Sequence, residues 1–205
     1  MSTPPTVHFD RFYKHDELTA ILHGYAAAYP DLAAVESIGQ SYEGRDIWCL
    51  TITNGATGAA DTKPAQYIDG NMHAGEVTGS AAALYSAHEL LTKYGQDELI
   101  TELVDTRTFY ILPRVNPDGA ERYLTTPYTL RSSVRAYPHE EDQPGLRAED
   151  LDGDGLILQM RIPDPKGEWK ISPKDDRLML KRGPDERGGT YYHVLPEGLV
   201  EDYRG

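Results

Sequence analysis

One cysteine, Cys49, is all that the 205 residues contain. No intrachain disulfide and no thiolate-ligated metal cluster can be built from it, and its place in the alternating run "RDIWCLTIT" reads as a core position on a half-buried strand. Apolar runs of membrane-spanning length are missing as well, and the first stretch, "MSTPPTVHFDRFYKHDE", has no apolar core of the signal-peptide kind. The expectation is a soluble, cytoplasmic chain, although one trimmed of a signal peptide would read the same. Basic residues are also scarce. Lysine and arginine total 20 against 33 aspartate and glutamate, a formal charge of −13. Such a chain repels phosphate backbones and anionic headgroups, which argues against nucleic acid and membrane surfaces as partners. Neither an internal repeat nor a low-complexity tract is present. The length suits one large domain or one and a half, enough for a sizeable core.

Periodicity orders the first half. From His15 to Tyr29 the apolar residues Leu18, Ile21, Leu22, Tyr25 and Tyr29 form one helical stripe that Pro30 stops. The alternating stretches "AAVESIGQSY" and "RDIWCLTITN", joined through Glu43 and Gly44, predict an antiparallel hairpin. "AQYID" and "RTFYILP" are short apolar runs of the interior-strand type. Between them Val77, Ala81, Leu84, His88 and Leu91 recur at helical spacing, with His88 on the packed face. Strand, helix and strand in this order predict an α/β fold, a mixed parallel and antiparallel sheet flanked by helices. Beyond Tyr123 the character changes to prolines, glycines and charges. Short runs, "LILQMRI", "EWKIS", "LMLKR" and "TYYHVL", are separated by turn signals, so residues 136–205 are expected to form a β-rich, loop-rich insertion after a first part spanning 1–135.

His73 and Glu76, in "YIDGNMHAGEVTGS", lie three residues apart where the strand gives way to the helix. On that spacing both side chains can meet one ion, and an imidazole and a carboxylate are ligand types that zinc accepts. The pair alone leaves a second reading open, with Glu76 in the first helical turn favouring the helix dipole. About forty residues further on, "ILPRVNPDGAERY" sets Asn116, Pro117, Asp118 and Gly119 after the second apolar strand, where proline and glycine mark a turn.

"GNMHAGE" followed by "NPDG", each at the end of a predicted strand, resembles the zinc carboxypeptidases of the carboxypeptidase A-like family. The resemblance covers about the first 135 residues and suggests the amino-terminal part of the catalytic domain. It implies a metallocarboxypeptidase, a hydrolase of peptides, with His73 and Glu76 as two zinc ligands. It also implies a carbonyl-polarising arginine, which the spacing places at Arg131 in "TLRSSVR", with Arg135 as a substitute. A zinc amidase or deacylase shares the first motif but not the "NPDG" turn, so the turn favours a peptidase. The family further uses an Asn-Arg pair, a third ligand histidine and a glutamate base. No "NR" dipeptide occurs here. His193 in "GTYYHV" has a strand context and His139 in "YPHEED" a loop context, and surface or packing roles suit both better. The sequence is therefore expected to be the incomplete front of a longer enzyme, weak in zinc binding and in hydrolysis. The reading from another class is a non-catalytic metal-binding or interaction module on the same scaffold.

"EDLDGDGLI" raises a second ion. Asp150, Asp152 and Asp154 stand at positions one, three and five of a calcium-loop pattern with Gly155 at six, but Arg161 replaces the glutamate at twelve. That departure argues against an EF-hand, and calcium held by the three aspartates with Asp164 or waters is set against an acidic solvated turn. Substrate side-chain preference and oligomeric state are not legible.

Overall fold

The computed structural model describes residues 2–135 and 145–201. The chain divides into two compact units, Met1–Glu140 and Glu141–Gly205.

In the first unit the stripe of the first helix folds as expected, into α1 (His15–Ala28), with Leu18, Ile21, Leu22 and Tyr25 buried. Strands β1 (Ala33–Gln40) and β2 (Asp46–Ile52) form the antiparallel hairpin, with Ala33 opposite Ile52 and Gln40 opposite Asp46. Next come β3 (Ala65–Asp69), α2 (Val77–Lys93), α3 (Glu98–Thr106), β4 (Thr108–Leu112) and α4 (Pro117–Thr125). The sheet order is β1-β2-β4-β3; β4 runs antiparallel to β2 and parallel to β3. A mixed sheet with helices results, as the alternation predicts.

Leu50, Ile52, Phe109 and Ile111 from the sheet join Leu22 and Tyr25 of α1, Leu84 and Leu91 of α2 and Val104 of α3 in one apolar cluster. Each large aliphatic side chain buried there stabilises the fold by about 1.5–3 kcal/mol relative to exposure. Cys49 lies buried in this part of β2, which agrees with its core reading. His88 is half-buried on α2, its Nδ1 2.7 Å from the Tyr25 hydroxyl, so it packs between helices.

Three details differ from expectation. Strand β3 is not interior: it pairs with β4 alone among the described residues, and only Ile68 is even half-buried, Tyr67 being 55% exposed. Helix α3 was not anticipated, although Asp97 caps it by accepting the Ile100 amide and Ile100, Leu103 and Val104 supply its apolar side. The "NPDG" segment opens a helix rather than a simple turn. Asn116 caps α4, and Pro117 takes the first helical position, where a missing N–H loses nothing.

The second unit is β-rich. The four apolar runs become β6 (Gln159–Pro163), β7 (Trp169–Ile171), β8 (Met179–Lys181) and β9 (Tyr192–Pro196), in sheet order β6-β9-β7-β8. A further antiparallel pair joins β5 (Gly145–Ala148) to β10 (Gly198–Glu201). Among the described residues, no helix is long and apolar enough to cross a membrane.

Candidate metal centre and active site

The loop from β3 to α2 is built on a close backbone approach. Gly70 sits against Gly79 in the first turn of α2, where a Cβ on Gly70 would come within 2.6 Å of the Gly79 carbonyl carbon. Asn71 follows with φ 56°, a left-handed conformation that asparagine tolerates better than most residues. Its buried side chain then donates to the carbonyls of His73 at 2.8 Å and Ala74 at 3.2 Å, which closes the loop on itself. The Glu76 amide bonds to the His73 carbonyl at 3.1 Å, and Glu76 stands at the N-cap position of α2 with its side chain turned to other partners.

Two other segments are stitched to this loop. The Asn116 amide donates to the Asn71 carbonyl, while its side-chain amide donates to the Ser132 carbonyl and its Oδ1 accepts the Gly119 amide. The Ala74 amide donates to the Arg131 carbonyl at 3.0 Å. The family of bonds brings residues 131–132 beside 73–76 across more than fifty positions of sequence.

His73, Glu76 and Arg131 accordingly converge. His73 Nδ1 lies 3.1 Å from Glu76 Oε2, and Arg131 Nη1 donates to Glu76 Oε1 at 2.7 Å. The imidazole hydrogen bond, and after it the guanidinium, hold the Glu76 carboxyl below its ordinary pKa, so it is held as an anion. All three groups reach solvent, His73 the least. Two donors on one tetrahedral zinc at 2.0–2.1 Å stand about 3.3 Å apart. The 3.1 Å between the His73 and Glu76 donor atoms is close to that span, so these residues fit the ion that the resemblance implies. Within the first unit, no third imidazole, thiolate or carboxylate joins them among the described residues. Arg135 is placed differently from Arg131: its backbone amide bonds to the Ser133 hydroxyl, and Arg131 is the one that meets Glu76.

The other sequence candidates lie in the second unit or outside the described residues. His193 lies on β9 in the second unit, with its Nε2 3.4 Å from Asp164 Oδ2. His139 lies outside the described residues. Asp150 and Asp152 do cluster, but with Glu197 rather than with Asp154. Asp154 instead accepts the Leu156 amide, Asp150 accepts the amides of Gly153 and Gly155, and Glu197 those of Leu151 and Leu158. Those bonds tie the backbone of the acidic loop to its own carboxylates and to Glu197.

The role of one residue of the "NPDG" motif escaped sequence reading. Asp118 is buried on α4 and accepts from the Ser41 hydroxyl at 2.6 Å, the Glu43 amide at 2.9 Å and Arg45 Nη1 at 2.8 Å. It clamps the β1–β2 turn to the helix that carries Asn116. The only signal was the charged "SYEGR" turn itself, which names no partner.

Residues 18–150 match the family model for zinc carboxypeptidase. The chain belongs to that family. Carboxypeptidase B of Astacus astacus is 36% identical over 161 residues, covering 78% of this chain and 45% of that protein. A protein of Ajellomyces capsulatus named inactive metallocarboxypeptidase ECM14 is 33% identical over 153 residues, covering 74% of this chain and 24% of its own. The crystal structure of carboxypeptidase A from Helicoverpa armigera aligns at a TM-score of 0.52 with 30% identity, over 60% of this chain and 29% of that one. The chain thus spans less than half the length of these relatives. It is a zinc carboxypeptidase relative in which two ligand types and a nearby arginine occupy one loop cluster.

The Asp118 clamp carries a pH signature in this zinc carboxypeptidase scaffold. Burial pushes its carboxyl up, but the bonds from Ser41, Glu43 and Arg45 and the Arg45 charge outweigh that and hold it below its ordinary value. Its stabilisation is therefore present above the unfolded carboxyl value of about 3.9 and fades as pH falls through the lower folded value. Asp118→Asn is expected to lower stability by about 2 kcal/mol at pH 7, since a nearly enclosed, charge-assisted cluster loses its anion. Urea unfolding at pH 7 and pH 3 checks this: the gap between variant and parent must shrink in acid.

Proposed function

We propose that this protein is a zinc-dependent metallocarboxypeptidase that releases residues from the carboxyl end of peptides, with His73 and Glu76 as metal ligands. The observation that carries the reading is the convergence of His73 Nδ1 and Glu76 Oε2 at 3.1 Å beside a guanidinium. Zinc, when bound, supplies Lewis-acid polarisation of the scissile carbonyl and a water acidified towards neutrality. The protein's own groups supply the rest. Asn71 and Asn116 hold the loop, Glu76 stays ionised, and Arg131 brings a permanent cation to the place where the carbonyl oxygen gains charge. Family membership supports hydrolase chemistry on peptides.

A second reading, a non-catalytic metal-binding module, is favoured by the two-donor set found among the described residues of the first unit and by the relative named inactive. One experiment separates them. The full-length protein, purified with zinc supplied, is analysed for metal and incubated with peptides whose shortened products are followed by mass spectrometry. One zinc per chain with stepwise loss of carboxyl-terminal residues, abolished by a chelator, is expected. Bound zinc without any shortening supports the module, and absence of zinc under ample supply overturns both.

A further inference from the structure

A cleft of about 410 Å³ opens beside His73, and Tyr42, Ile47, Met72 and Pro117 give it an apolar lining. Two of these side chains are unusually uncovered for their size, Tyr42 at 72% and Met72 at 57%. An exposed tyrosine at a hairpin tip is ordinarily just solvated. Here its backbone is fixed. Ser41 and Glu43, the residues on either side, both donate to the buried Asp118, and Arg45 adds a third bond to the same carboxylate. The Ser41 amide also donates to the Arg45 carbonyl at 2.8 Å, and Gly44 turns the chain at φ 83°. The ring is thus presented without the ordering penalty that a mobile loop would meet on binding, the arrangement by which rigid aromatic anchors give affinity. Met72 complements it, since an unbranched thioether adapts to different apolar partners and sits one residue before the ligand histidine.

We propose that Tyr42 is a specificity-determining residue, holding with Met72 an apolar or aromatic side chain of the bound peptide in the cleft next to His73. This rests on the carboxypeptidase reading. It concerns the choice of peptide and not the chemistry: Asp118 acts only by positioning the turn, and its carboxylate, taken up by three donors, has little left for a ligand.

The test uses the full-length protein with zinc and two sets of peptides, one varied at the terminal residue and one at the residues before it, each pairing phenylalanine with aspartate. Phenylalanine is expected to be preferred at one of these positions. Tyr42→Ser is expected to reduce that preference about tenfold through KM, with kcat changed less than twofold, while Tyr42→Phe keeps it. A preference unchanged in Tyr42→Ser overturns the proposal and leaves the peptidase reading intact. If no peptide is hydrolysed, calorimetry with the same peptides decides: about tenfold weaker binding of the phenylalanine peptide by Tyr42→Ser sustains the proposal without the peptidase reading, and equal binding overturns it. Circular dichroism confirms that each variant is folded, as expected for so exposed a side chain.

Discussion

Gly70→Ala is expected to lower the melting temperature of the first unit by about 6–12 °C, more than any substitution on its surface. The added Cβ would meet the Gly79 carbonyl carbon at 2.6 Å and the Ser80 amide nitrogen at 3.0 Å, backbone atoms that no rotamer change can move. Relief by shifting Gly70 is blocked on both sides. Its amide donates to the Leu112 carbonyl and its carbonyl accepts the Val115 amide, so β3 and the segment after β4 would have to move with it. Forced overpacking of this kind costs about 3 kcal/mol, and each kcal/mol is about 2–4 °C for a protein of this size. Gly79→Ala is the control. Its Cβ would find Asn71 N at 3.0 Å, a milder contact, and a smaller fall is expected. Thermal unfolding followed by circular dichroism measures both, and a Gly70→Ala midpoint within 2 °C of the parent would sink the claim that this backbone contact sets the loop. The same contact aims Asn71, His73 and Glu76, so zinc affinity should fall with stability.

This dependence on paired glycines shows where sequence reading reaches and where it stops. Gly70 stands at the end of a predicted strand, but its partner nine positions away carries no signal in the sequence, because close approach depends on how α2 leans on β3. Elements long enough to repeat their period, α1, α2 and the β1–β2 hairpin, were readable from apolar spacing alone. Short ones were not. Helix α4 begins with proline and has glycine in its first turn, features that ordinarily mark a loop, and only the Asn116 cap reveals its start. Strand β3 was legible as a strand but misplaced as interior, since an apolar run carries no record of how many neighbours it will have. The site divides in the same way. His73 and Glu76 were local and visible, whereas the Asp118 clamp joins residues more than seventy positions apart and Glu197 meets Asp150 and Asp152 from a distant strand end. Neither has a spacing to read.

His73→Ala and Arg131→Gln are expected to fail in opposite ways, and the contrast tests the assignment of roles. His73 provides one of two converging donors, 3.1 Å from the other, so its removal leaves a lone exposed carboxylate. Loss of groups that merely orient a ligand already weakens metal binding 10–100-fold, so loss of the ligand itself is expected to weaken it by about 100-fold or more. Arg131 competes with a metal for the same carboxylate, since its Nη1 donates to Glu76 Oε1 at 2.7 Å. Removing that cation is expected to leave zinc affinity unchanged or up to about fivefold tighter, because an ion pair this exposed is weak. Hydrolysis by the same variant is expected to fall about 10²–10³-fold in kcat, the usual loss when a donor to a developing oxyanion is deleted. Competition against a chromogenic chelator gives the zinc affinities, and peptide turnover by the full-length protein gives kcat. A glutamine variant that loses zinc as severely as His73→Ala would make Arg131 a support for the metal loop, reached through the Ala74 amide on its carbonyl, and not an electrostatic catalyst.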